Sequence, residues 1–97
     1  MTTAEVKNRI AEHRVDLREM GVASLELFGS TVREETSNPN DIDLLVEFSG
    51  PVGLFSFYRL QEYLEDLFFP ERIDLVLRRS VIDDFKEQIY TEAIPCL

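Results

Sequence analysis

The chain has 97 residues, with 10 Lys+Arg against 19 Asp+Glu and a formal net charge of −9. Its 44% hydrophobic content is that of a globular domain rather than a disordered acidic tail, and the length suits a single domain over residues 1–97. Such acidity speaks against gripping nucleic acid through its phosphates, which takes Lys and Arg, so no direct nucleic-acid binding is expected. One cysteine, Cys96, leaves no intramolecular disulfide and no Cys-rich zinc site. The first residues are too densely charged for a signal peptide, and no apolar run reaches membrane-spanning length. These features together predict a cytoplasmic protein.

In chain order, Thr2 and Glu5 form the signature of a capping box. It opens a helix to about Met20, with Gly21 as the stop and Val6, Ile10, Leu17 and Met20 on one face. Val22 to Phe28 alternates as a strand that ends at Gly29. Thr31 to Asn40 is polar, with one helical turn predicted first and a Ser37-Asn38-Pro39-Asn40 loop after it. Ile42 to Phe48 reads as a second strand. Phe57, Leu60, Leu64, Leu67 and Phe68 then predict a helix from about Val52 to Phe69, stopped by Pro70. Arg72 to Leu77 is a third strand, and Ser80 caps a last helix to about Ala93. This order predicts an α/β (α+β) fold with a small mixed sheet and helices packed on it.

The chemistry concentrates in acidic residues set in strands. Asp41 and Asp43 flank Ile42 where the second strand begins, so both carboxylates point to one side, their Cα atoms roughly 6.5–7 Å apart. Carboxylates held that close repel unless a cation sits between them, and hard divalent ions with oxygen ligands meet that need. Asp74 opens the third strand in the same way. If the two strands are neighbours, the three carboxylates converge at one end of the sheet. Each Asp alone reads better as a turn residue at a loop-to-strand boundary; the trio, taken with Gly29-Ser30, asks for a site. Gly29-Ser30 supplies a complementary element, a strand end where backbone N–H groups can receive phosphate. Arg33 lies within reach of the same phosphates or of Glu34 and Glu35. No P-loop or Gly-x-Gly-x-x-Gly sequence is present. His13 reads as a surface or packing residue and Cys96 as a small hydrophobe, and the chain carries no plausible Ser-His-Asp set.

Gly29-Ser30, ten residues, then Asp41-Ile42-Asp43 and a later strand Asp at Asp74 resembles the DNA polymerase β-type nucleotidyltransferases, specifically the minimal nucleotidyltransferase (MNT) proteins. That resemblance implies the polymerase β-like nucleotidyltransferase fold. It also implies an enzyme in which Gly29, Ser30 and Arg33 hold a nucleoside triphosphate, while Asp41, Asp43 and Asp74 bind two Mg²⁺ ions. Members often have Ala-Arg-Gly where this chain has Val32-Arg33-Glu34. Small MNT proteins are typically paired with HEPN-domain toxins. The resemblance therefore implies an antitoxin that transfers AMP from ATP to a hydroxyl, with tyrosine as the expected acceptor, of a HEPN toxin. Two alternatives stand beside it: a binding module that neutralises its partner without chemistry, and an adenylyltransferase of small molecules. The aromatic residues of the 52–69 helix exceed what one core-facing stripe needs, leaving a surplus for a homo- or hetero-oligomeric interface.

Overall fold

A computed structural model of the chain describes residues 2–28, 41–51, 53–78 and 93–97, with Asp41 described in its backbone alone. The expected turn within 31–40 and the expected helix from Ser80 lie outside the described residues. Two helices open the chain, α1 at Thr3–Glu12 and α2 at Arg14–Glu19. The capping box is present: Glu5 N–H donates to Thr2 Oγ1 at 3.2 Å, and Thr2 N–H donates to Glu5 Oε1 at 3.0 Å. Where one continuous helix was expected, the chain breaks at His13 (φ −112°, ψ 21°). The cause is local competition. His13 Nδ1 lies 2.9 Å from the Arg9 carbonyl, while the His13 backbone N–H donates to Ile10 instead. Gly21 ends α2 at φ 91°, a conformation that disfavours any residue with a Cβ.

Strand β1 (Val22–Phe28) matches its expected bounds, and β2 (Asp41–Phe48) begins one residue earlier than expected. Helix α3 (Leu54–Phe68) is shorter than expected at both ends. Strand β3 (Arg72–Leu77) matches, and a short strand β4 (Ile94–Pro95) was not foreseen. These form a mixed 4-stranded sheet of order β3-β2-β1-β4, in which β1 runs antiparallel to β2 and β4 while β2 and β3 are parallel. Parallel neighbours need a crossover, which α3 supplies.

One face of the sheet carries the core. Leu25, Leu27, Ile42, Leu44, Val46, Ile73 and Leu75 pack there with Val6, Ile10 and Leu17, and with Leu60, Leu64 and Phe68 of α3. Polar contacts fix the helices to each other and to the sheet. Arg9 donates to the Leu67 carbonyl at 3.2 Å and lies over the Phe68 ring, 5.7 Å from its centroid. Gln61 donates to the Ile73 carbonyl at 2.8 Å, and the Tyr63 hydroxyl donates to Asp16 at 3.1 Å. Partial burial and that bond to a carboxylate raise the Tyr63 pKa above its usual value. Cys96 is buried beside β1, as a packing residue would be, and burial pushes its thiol up to about 11. No described helix is long and apolar enough to cross a membrane.

Candidate active site

Strand alternation decides where the acidic residues go. Ile42, Leu44 and Val46 of β2 face the helices, so Asp43 faces the other way; Ile73 and Leu75 do the same for Asp74 on β3. The two strands pair in parallel with Asp43 opposite Asp74, in a register that also sets Asp41 opposite Arg72. Neighbouring strands are about 4.8 Å apart, so the two carboxyl groups share a face as next neighbours. Asp43 is half-buried and Asp74 exposed. The neighbour relation on which convergence depended is therefore present for Asp43 and Asp74. Asp41 lies on the same strand at the alternate position, with its side chain outside the described residues. Gly29, Ser30 and Arg33 also lie outside them. Phe28, the last residue of β1, pairs with Asp43, so β1 ends beside the carboxylates of β2 and β3.

The donor set suits a hard divalent cation. Two carboxylates from adjacent strands, Asp43 and Asp74, share a face away from the hydrocarbon core. Among the described residues no group of three or more His, Cys, Asp or Glu side chains gathers as a metal site, Asp41 not being among those side chains.

Sequence reasoning missed the basic residues on the same face. Arg72 precedes Asp74 by two positions, and period-2 spacing was the available signal. Farther along, Arg78 pairs with Glu26 of β1 at 2.8 Å, spanning β2 on the face away from the helices. Leu45 lies between them in the sheet and is only 1% exposed although it faces away from the helix-side core. A cavity of about 390 Å³ lined by Val46, Phe48, Pro51, Leu77 and Arg78 sits at the far end of β2 and β3, away from Asp43 and Asp74.

Residues 8–96 match the family model described as Nucleotidyltransferase domain. The chain belongs to this nucleotidyltransferase family. It is similar to the protein adenylyltransferase MntA of Thermococcus cleftensis, with 35% identity over 95 residues, covering 97% of this chain and 95% of that protein. A protein of Methanocaldococcus jannaschii, provisionally named for the same activity, is 33% identical over 97 residues and matches end to end. Among solved structures, one provisionally named a minimal nucleotidyltransferase superposes with a TM-score of 0.79 at 32% identity, covering 98% of this chain and 96% of that one. A toxin–antitoxin structure with AMP-PNP shares the fold at a TM-score of 0.70 and 24% identity, covering 94% of this chain and 72% of that one. This nucleotidyltransferase is thus a transferase enzyme with the mixed α/β fold expected of its motif.

Proposed function

We propose that this nucleotidyltransferase moves AMP from ATP to a hydroxyl, expected to be a tyrosine, of a HEPN-domain toxin in the cytoplasm, and that it thereby acts as the antitoxin. The pairing of Asp43 with Asp74 on the open face of the sheet carries this reading, because it sets two oxygen donors side by side where a nucleotide can approach. The full-length similarity to a protein adenylyltransferase supports a protein as the acceptor.

Residues 1–97 act as one minimal catalytic domain. Asp41, Asp43 and Asp74 hold two Mg²⁺ ions, while Gly29, Ser30 and Arg33 hold the triphosphate of ATP. The bound ions supply charge neutralisation at the attacking and leaving oxygens. The protein's own contribution is to place the acceptor oxygen in line with the α-phosphorus. The acceptor O–P bond forms as the bond from the α-phosphorus to the bridging oxygen breaks. Pyrophosphate leaves, and the hydroxyl proton passes to a carboxylate of the trio, for which Asp74 is assigned.

The test is transfer of label from α-labelled ATP, with Mg²⁺, to the toxin encoded beside this chain. Label on the toxin that disappears in Asp41→Asn and Asp43→Asn supports the proposal. Neutralisation that persists in both variants without any transfer would make the chain a binding module. Transfer to small hydroxylated molecules in the toxin's absence would make it a small-molecule enzyme.

A further inference from the structure

The outward face of α3 bears large apolar side chains that the core does not use. Phe55 is 79% exposed, Tyr58 59% and Phe69, which ends the helix, 80%. With Glu62 and Glu65, both exposed, they follow one another at steps of three, four, three and four residues. That 3.5-residue period draws a single stripe along the helix: aromatic at one end, acidic in the middle, aromatic at the other. Beside it, Asp16 and Glu19 of α2 and Glu62 and Asp66 of α3 line a groove of about 770 Å³ that also holds Arg59. Core packing accounts for Leu60, Leu64 and Phe68 on the opposite side of the helix, and accounts for none of the stripe.

We propose that this stripe is a docking surface for a protein partner whose own face is basic at its centre and apolar at its ends, and that the occupant is the toxin of the reading above, on which this assignment rests. Charge selects the occupant. A second copy laid antiparallel on the stripe would set Glu62 and Glu65 against their own counterparts, and each chain already carries −9. A basic partner gains where a second copy loses. The geometry adds a consequence: α3 covers the helix side of the sheet, whereas Asp43 and Asp74 face the other side. A partner seated on α3 leaves the carboxylate face open, so docking and transfer are separable functions of opposite faces.

The measurement is calorimetric binding of the purified toxin at low and high salt, alongside label transfer. The variants are the pairs Phe55→Ser/Phe69→Ser and Glu62→Lys/Glu65→Lys, with Asp43→Asn as the opposite-face control. All four substituted residues are exposed, so melting curves near wild type are expected. The assignment predicts binding at least about tenfold weaker in each pair, a weaker salt dependence in the charge reversal, and unchanged binding in Asp43→Asn. Unchanged affinity in both pairs overturns it, as does binding lost in Asp43→Asn alone. A wild-type homodimer that the stripe variants dissolve also overturns it, by making a second copy the occupant. A toxin that binds through the stripe yet accepts no AMP overturns the adenylyltransferase reading and leaves the docking surface standing. A toxin that never binds overturns both.

Discussion

On one side of the sheet, Ile42 and Leu44 lie sealed beneath Leu60, Leu64 and Phe68, each at most 1% exposed. On the other side the same strand presents half-buried Asp43 next to exposed Asp74. Side chains one residue apart therefore serve opposite ends, stability through dry packing and chemistry through charge kept near water. The contrast teaches that a single strand can hold both, because alternation separates them without extra chain. It also says which kind of damage each substitution should do.

The sharpest break is Asp43→Asn. It should lower AMP transfer by a factor on the order of 10²–10³, as removal of one charge-stabilising group does elsewhere, while moving the folding midpoint far less than a core truncation. Steady-state transfer and a denaturant melt on the same sample check both halves. Leu64→Ala is the mirror experiment, costing about 2–5 kcal/mol of stability through the cavity it leaves under β2. At temperatures where the variant stays folded, transfer should persist. Gly21→Ala should cost about 1–2 kcal/mol, because a Cβ strains the backbone at φ 91° even though the nearest atom it would meet, Phe48 Cδ1, is 3.9 Å away.

The smallest effects are those of pH. Burial raises the Cys96 thiol from 9.0 to about 11, so the fold favours the neutral form. Its contribution is complete below pH 9 and is lost as pH rises through about 11, a slope that Cys96→Ala should flatten in denaturant melts across that range. At the acid end, the Thr2 backbone N–H and then its hydroxyl hold the Glu5 carboxyl below its ordinary 4.5. That contribution is present above pH 4.5 and drains as pH falls through the lowered value. Helix content of wild type against Thr2→Ala, followed by circular dichroism, should show the difference.

Much of this division could be read from the residues. The alternation of Val22–Phe28 and Arg72–Leu77 gave both strands with their bounds, and Asp-Ile-Asp announced a carboxylate face. Strand neighbourhood was not legible: nothing in Ile73-Asp74-Leu75 says which strand lies beside it, and that pairing depends on how α3 crosses over. The break at His13 was missed because a side chain taking a backbone carbonyl leaves no periodic trace. Strand β4 was missed for another reason. Two residues ending in Pro95 carry no strand signal of their own, and the edge of β1 supplies the order, through bonds such as Cys96 N–H to the Leu25 carbonyl.

The parallel register of β2 with β3 bears on the order in which the molecule assembles. A β1–β2 hairpin can close early around nearby contacts, and it carries Asp41 and Asp43. Asp74 can join them only after the intervening chain has looped back and α3 has settled on the sheet, a closure of low probability in an unordered polypeptide. The like-charged neighbours thus meet only after the hairpin's more local contacts, once α3 has crossed over, and a fragment cut before β3 would lack the pair. Nascent chains would remain catalytically silent until the crossover is complete.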